Sequence, residues 1–595
     1  MTATQIELFT LLGFVFVFLI WGRWRYDLVA FTALVIALML GIVPKEEAFS
    51  GFGHPATAII ALVLIVSKGL SNSGAIELLS RQITKFGTTL AGHITAMSTI
   101  AAALSAVMNN VAALALLMPV DIEAARKAGR SPALTLMPLS FASILGGMIT
   151  MIGTPPNIII AEFRKDAVGE SFGMFDFAPV GIITAIAGVL FVASIGWRLI
   201  PKSAVSQDPG KALENISPYL TELHVGDDSP LIGRRVRDID EEMESHDAVI
   251  LGLTRANKRK PGRARIEIIQ LHDTLIIEAV PETLDSLTGS LGLTFRNKDK
   301  TPGLLDNEDM QILEVVVPPG ARIEDRTALS FRLQQRQSVT LLGISRQGKP
   351  VRERVRATQI KAGDILLLFG DIERLREVSR WLGTLALDNG ATVPRQRHKA
   401  FLAIGLFATA IAVASFGWVY LPIALAAVTV SFVFLQIVPI REVYTSIEWP
   451  VIVLLGSMIP IGAALESSGG TQLIASSITS LGEGMPPSVI LLLLMVITMT
   501  LSDVMNNTAT AVIAAPIAIE IASQLNANPD PFLMTVAVAA SCAFLTPIGH
   551  KNNTLIMGPG GYRFGDYWRM GLPLEILVIT VSIPVILWVW PLGIN

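Results

Sequence analysis

Charge is scarce in this chain and cysteine scarcer. Of its 595 residues only 16% are Asp, Glu, Lys or Arg, against roughly 25% in a soluble globular protein. A single cysteine, Cys542, excludes disulfides and Cys-based metal sites. The net charge of −3 supplies no basic field for phosphates, which excludes a nucleic-acid binder. What is abundant is apolar: 51% of the residues are hydrophobic and the mean hydropathy is +0.56. Such a composition excludes a soluble enzyme and a disordered scaffold.

The scarcity is uneven. Residues 202–398 hold 58 of the 95 charged side chains, and the other 398 residues hold 37. Two lipid-soluble blocks, 1–201 and 399–595, therefore flank one water-soluble block. Runs long enough to span a bilayer, or nearly so, are 6–21, 26–43, 54–71, 134–161 and 178–199, then 401–419, 421–439, 449–465, 532–557 and 571–592. Lipid leaves backbone polar groups no outside partner, so these runs are expected as helices. Residues 6–21 lack a basic n-region and an A-x-A site, so they read as a span rather than a cleaved leader. Residues 93–119 and 487–519 are apolar but broken by Asn pairs, which suits two re-entrant hairpins with half-length arms and polar tips. Residues 76–87 and 470–482 are amphipathic and suit the interface.

The apolar blocks are repeats. Leu104-Ser105-Ala106-Val107-Met108-Asn109-Asn110 matches Leu501-Ser502-Asp503-Val504-Met505-Asn506-Asn507 at an offset of 397. Pro119 falls on Pro516 at the same offset, and Gly153 and Asn157 fall on Gly549 and Asn553 at 396. Five spans per block is an odd number, so the second repeat is inverted. With residues 202–398 in the cytoplasm, the inner loops carry ten Lys and Arg and the outer loops three. Both termini then face outside. Inverted repeats with discontinuous helices are the architecture of secondary transporters, whose sites lie near the midplane.

The soluble block is duplicated as well. Gly252, Arg255 and Asp273 match Gly343, Arg346 and Asp364 at an offset of 91. Ile250–Arg255 and Leu341–Arg346 read as central strands. His272-Asp273 and Gly363-Asp364 read as turns leading into later apolar strands. Neither copy has a Gly-rich phosphate loop or a catalytic cluster, so the block is a pair of small α+β modules.

Chemistry is expected at the tips and at two helix breaks. Asn109-Asn110 and Asn506-Asn507-Thr508 lie in apolar segments, where an unused amide is costly. Their amide oxygens can ligate Na⁺, and the N–H groups of the following helices can hold an anion. The alternative is that they glue helices together. Ser105 and Ser502 share the helical face of the tip residues and can add hydroxyls, or bond their own backbone. In Ile152-Gly153-Thr154-Pro155-Pro156-Asn157 two prolines free the carbonyls behind them. The counterpart is Ile548-Gly549-His550-Lys551-Asn552-Asn553, with His550 and Lys551 as a cation pair. Lys551 either faces a bound anion, or snorkels, or pairs with a carboxylate such as Asp503. No acidic pair at the tips suggests a proton relay, which favours Na⁺. His54, His93, Lys68 and Cys542 read as structural.

At these residues the chain resembles the divalent-anion/sodium symporters (DASS) of the ion-transporter superfamily. That family carries a Ser-Asn-Thr triplet at each tip, a proline eight residues after the Thr, and a Thr-Pro-Pro-Asn-like break. Here the triplets read Asn109-Asn110-Val111 and Asn506-Asn507-Thr508, followed by Pro119 and Pro516. The first break matches well, and the second, Gly549-His550-Lys551-Asn552-Asn553, departs. The insert is similar to two tandem TrkA-C (RCK-C) domains, 202–299 and 300–398, which points to a sulfate-transporter-like branch.

The resemblance implies an all-α polytopic protein of the plasma (inner) membrane, with five spans and a hairpin per repeat. It implies an elevator-type homodimer with Na⁺ as coupling ion, no organic cofactor and no enzymatic activity, and a small-molecule regulator of the insert. One Na⁺ site takes Ser105, Asn109, Asn110 and Gly153, and the other Ser502, Asn507 and Gly549. The substrate, a small divalent anion with sulfate first and a dicarboxylate second, touches Asn109, Asn110, Thr154, Asn506, Asn507, Thr508, His550 and Lys551. A TrkA-C-gated channel is a rival, but no carbonyl-lined filter motif such as T-V-G-Y-G occurs. A membrane enzyme lacks a metal set or a nucleophile–base pair at membrane depth.

Overall fold

The computed structural model describes the chain except residues 22–23, 75–88, 202–219, 240–242, 244–247, 256–257, 260–266, 279–287, 290, 296–309, 332, 334–336, 338, 352–354, 356, 388–396, 483–484 and 594–595. The amphipathic stretch 76–87 and the domain boundary at 299/300 lie outside the described residues. Two units result: Met1–Lys202 with Asn389–Ile556 and Arg563–Asn595, and Ser203–Asp388 with Met557–Tyr562.

The first unit is helical. Among the described residues five helical segments are long and apolar enough to cross a membrane, and six shorter apolar helices accompany them. Large apolar side chains remain on its outside, including Phe14, Val17, Ile186, Leu190 and Phe434. Trp21, Trp24, Trp418, Trp449, Trp568 and Trp588 are exposed as well. Water disfavours so much exposed apolar surface and a lipid solvent accepts it, with Trp at home near the headgroups. The unit is a multi-pass membrane body.

Both Asn-interrupted stretches fold as helix, short break, helix. The first pairs Leu90–Ser105 with Asn110–Lys127, and the second pairs Pro487–Val504 with Asn507–Gln524. These arms are longer than the half-length arms expected from the apolar pattern, because polar turns such as Arg126-Lys127 continue the helix past the apolar run. His93 and Asp121 clasp the first pair at 2.8 Å, and Thr135 adds a hydroxyl to the same carboxylate. His93 thus gives a fully buried acid a hydrogen-bond partner.

The fourth span of each repeat is broken as the sequence suggests. Ala133–Gly147 stops and Pro155–Val168 starts, with Pro155 and Pro156 in its first turn, where a missing N–H costs nothing. Pro529–Ser541 stops and Lys551–Met557 starts. An asparagine repairs each break. Asn157 Nδ2 donates to the carbonyls of Thr150 (2.9 Å) and Met148 (3.4 Å), and Asn553 Nδ2 to those of Ala543 (2.9 Å) and Thr546 (3.1 Å). The hydroxyls of Thr150 and Thr546 donate to the carbonyls of Ala106 and Asp503, just before each tip. Equivalent residues therefore tie each break to the helix pair of its own half.

The second unit holds two five-stranded antiparallel sheets. The strands are β1 (Leu220–Val225), β2 (Val249–Arg255), β3 (Lys258–Arg259), β4 (Thr274–Glu278), β5 (Leu293–Phe295), β6 (Met310–Val316), β7 (Thr340–Arg346), β8 (Lys349–Pro350), β9 (Ile365–Asp371) and β10 (Leu385–Ala386). One sheet runs β3-β2-β4-β1-β5 and the other β10-β6-β9-β7-β8. Read in repeat order these are the same topology. The central strands are β4 and β9, not Ile250–Arg255 and Leu341–Arg346 as the sequence pattern suggested. Those two strands stand one place out, because the strand after the turn, β4 or β9, pairs with both other long strands of its sheet.

The residues matching at offset 91 do the same work in each module. Asp273 and Asp364 are 1% exposed. Each accepts a two-pronged bond from its arginine, Arg255 or Arg346, with contacts of 2.7–2.8 Å. That bonding raises both guanidinium pKa values, so the arginines stay charged. The same arginines reach the Ile268 and Gln359 carbonyls, both at 2.7 Å. His272 and Gly363 precede the aspartates with φ of 63° and 82°. Gly252 and Gly343 follow the extra residue of a bulge in β2 and β7.

Candidate functional site

Each tip is fixed by its first asparagine. Asn109 Oδ1 accepts from Val111 N, and Asn506 Oδ1 from Thr508 N, both at 2.9 Å. These are N-caps: the side chain takes one free donor of the second helix. The caps aim the next residue, Asn110 or Asn507, inward.

All eight residues expected around the substrate line one cavity in the helical unit: Asn109, Asn110, Thr154, Asn506, Asn507, Thr508, His550 and Lys551. Gly549 lines it too, with Glu448 and Val451 from the start of Trp449–Ser467. The cavity is small, about 60 Å³. Both tips and both breaks meet there, so neither half of the chain forms it alone.

The first tip is the more tightly bound. Asn110 is 3% exposed. Its backbone carbonyl accepts from Ser143 Oγ at 2.9 Å and Asn552 Nδ2 at 3.4 Å. Ser105 Oγ donates to its Oδ1 at 2.8 Å, and its Nδ2 lies 3.3 Å from His550 Nε2. Gly147 makes room for that amide, since a Cβ there would stand 2.3 Å from Asn110 Oδ1. Ser140 Oγ donates to Asn553 Oδ1 at 2.9 Å, a second polar tie between the halves. Gly153 fits against the Gly147 carbonyl behind this cluster, where a Cβ would come within 2.3 Å. Thr154 Oγ1 and Asn552 Oδ1 are buried oxygens with no hydrogen-bond partner among the described residues.

The second tip differs. Asn507 Oδ1 has Thr508 Oγ1 at 3.3 Å, while Ser502 Oγ turns to the Ala540 carbonyl at 2.6 Å. Ser143 stands at the repeat position of Ala540, so the first half supplies a hydroxyl where the second has only a methyl. Gly549 packs against the Ser502 carbonyl, where a Cβ would come within 2.7 Å.

Three expectations change here. His550 is not half of a cation pair: its Nδ1 accepts from Asn552 N at 3.1 Å, which a doubly protonated ring cannot do. With Nδ1 accepting, Nε2 carries the ring proton and cannot accept from Asn110 Nδ2, so their 3.3 Å approach is a contact and not a hydrogen bond. Lys551 is paired with Glu448, not with Asp503. Asp503 instead accepts from Leu545 N at 2.9 Å and meets Glu575. Asp503 and Glu575 are both buried and close enough to interact electrostatically, so an acidic pair does stand beside the second tip. The sequence concealed it because the partners lie on separate helices. Away from the cavity, Arg164 and Asp530 form a two-pronged pair (2.8 and 3.0 Å) that also joins the halves.

Thr150, Thr546, Ser143, Asn552 and Glu448 were missed from sequence. Thr150 and Thr546 carried a usable signal, since they match at the 396 offset of Gly153 and Gly549. Glu448 carried none.

Comparison with known proteins identifies the family. An uncharacterized transporter of Synechocystis sp. is 31% identical over 569 residues, covering 94% of this chain and 93% of its own. Sodium/sulfate cotransporter 2 of Chlamydomonas reinhardtii is 21% identical over 778 residues, covering 96% and 88%. Sodium-dependent high-affinity dicarboxylate transporter 3 of Caenorhabditis elegans is 33% identical over 143 residues, 24% of this chain and 25% of its own. The citrate transporter profile, CitMHS, matches residues 16–493 and 484–593. These matches make the protein a transporter and not an enzyme, and the chain belongs to the citrate transporter family.

Proposed function

We propose that the protein is a Na⁺-coupled symporter of a small divalent anion, sulfate in the first place. The observation that carries this reading is the cavity shared by both tips and both breaks. Its charged lining consists of Lys551 and Glu448, which cancel. A divalent anion entering a site of zero net charge, away from bulk water, needs cations to travel with it. Oxygens suited to a hard cation surround the first tip: Ser105 Oγ, Asn110 Oδ1 and the partnerless Thr154 Oγ1 and Asn552 Oδ1. The proposed ligands are Ser105, Asn109, Asn110 and Gly153 at one Na⁺ site, and Ser502, Asn507 and Gly549 at the other. Amide hydrogens and the Thr154 hydroxyl suit an anion that offers only acceptors. The names of the Chlamydomonas and Caenorhabditis relatives support sodium coupling, and sulfate or a dicarboxylate as cargo.

In this reading the halves are inverted repeats, the Asn-tipped pairs are re-entrant, and a dimer works by an elevator motion. The two modules are TrkA-C domains that sense a small molecule in the cytoplasm. The duplicated sheet order and the two Arg–Asp pairs support two domains of one kind.

Two measurements test this. Proteoliposomes should take up labelled sulfate down an inward Na⁺ gradient and stop when K⁺ replaces Na⁺. Succinate uptake without sulfate uptake moves the substrate to dicarboxylates. Uptake of neither sinks the symport reading. For orientation, cysteines at the exposed residues Asn526 and Glu377 should differ. The first should react with an impermeant thiol reagent in intact cells, and the second only after permeabilisation. Cys542 is buried and adds little background. Labelling in the reverse order would overturn the orientation.

A further inference from the structure

Lys551 is the only cation among the described residues lining the cavity, and a carboxylate of the same chain already holds it. Glu448 belongs to neither helix pair and to neither break. It stands just ahead of Trp449–Ser467 and reaches Lys551 across the cavity. Both side chains keep some solvent exposure, 26% for Lys551 and 32% for Glu448, so the pair borders the space a ligand would fill.

We propose that Glu448 is a charge-exchange gate, occupying Lys551 until a substrate anion displaces it, and thereby selects divalent over monovalent anions. This rests on the symport reading above. A monovalent anion offers Lys551 no more charge than Glu448 does, and exchange also releases a carboxylate that repels it. A divalent anion at the same distance attracts the ammonium about twice as strongly, because Coulomb energy scales with the product of charges. Exchange then favours the divalent ligand, and the freed Glu448 turns toward water.

The test uses the full-length protein in proteoliposomes, with sulfate uptake competed by unlabelled sulfate or nitrate in the presence of Na⁺. Glu448→Gln should lower the half-saturating sulfate concentration roughly tenfold, the low end of a charge-assisted hydrogen bond. It should also make nitrate a competitor. Lys551→Met leaves the Glu448 carboxylate alone in the cavity and should weaken sulfate the most. The double variant Glu448→Gln/Lys551→Met removes both charges and should bind sulfate better than Lys551→Met alone. Wild-type sulfate uptake with an unchanged half-saturation and nitrate insensitivity in Glu448→Gln would overturn the gate and leave the symport reading standing. If Glu448→Gln does not fold, equal sulfate affinity in Lys551→Met and the double variant overturns it instead. Absence of Na⁺-dependent uptake of any divalent anion by the wild type would overturn the symport reading itself.

Discussion

Replacing Asn110 with alanine should cut Na⁺-dependent uptake by roughly a hundredfold or more and destabilise the protein. The side chain is enclosed, with Ser105 Oγ on one side and His550 on the other. Alanine keeps the backbone carbonyl that Ser143 and Asn552 use but strands the Ser105 hydroxyl. Each buried polar group left without its partner costs about 1–3 kcal/mol. Asn507→Ala should behave differently. Its amide oxygen has one long contact, to its neighbour Thr508, so alanine leaves little stranded. It should shift the Na⁺ activation curve to higher concentration with little change in melting temperature. Uptake against Na⁺ concentration, with thermal melting of both purified variants, separates the two effects. If Asn110→Ala transports with a wild-type Na⁺ curve, the first tip is interhelical glue and not an ion site.

Arg346→Ala should lower the stability of the water-soluble unit by about 2–3 kcal/mol. Asp364 is almost wholly buried, and the two-pronged bond from Arg346 is its one ion pair among the described residues. Removing the cation leaves a buried carboxylate that keeps the Lys361 N–H, at 2.8 Å. The cost of breaking a fully buried pair, about 3–5 kcal/mol, is reduced because the Arg346 side chain is 31% exposed. Arg255→Ala should do the same to the first module, with the added loss of the longer Arg255–Glu267 ion pair at 3.7 Å. Thermal melting and limited proteolysis of the full chain read both. A melting temperature within a degree of wild type would show that the pair decorates the turn rather than holding it.

Much of this architecture was legible because duplication writes the same message twice. Asn109-Asn110 and Asn506-Asn507 stood out as polar pairs in apolar runs, and the fold places both at helix starts as caps. Gly252, Arg255 and Asp273 with their counterparts 91 residues on marked a duplicated module, and the fold gives them a bulge, a salt bridge and a turn in common. The order itself was not legible: a strand's place in a sheet depends on partners far along the chain, and β4 looks locally no more central than β2. The charges at the site were hidden for the same reason. Lys551 and Glu448 are 103 residues apart, and Asp503 and Glu575 are 72 apart. Neither spacing is periodic, and only helix packing brings them together. His550 looked cationic from its neighbour in sequence, whereas the Asn552 N–H fixes it as a neutral ring.

The second module's sheet closes on both sides with strands of two residues, and Pro350 sits in one of them. An edge that short exposes few unpaired backbone groups, and a proline offers no N–H at all. Strand-by-strand growth from one molecule onto the next has almost no template there. Crowded on a membrane, where many copies share a thin layer of water, such modules resist zipping into fibrils. Any association between them has to use side-chain surfaces, which a ligand can strengthen or dissolve.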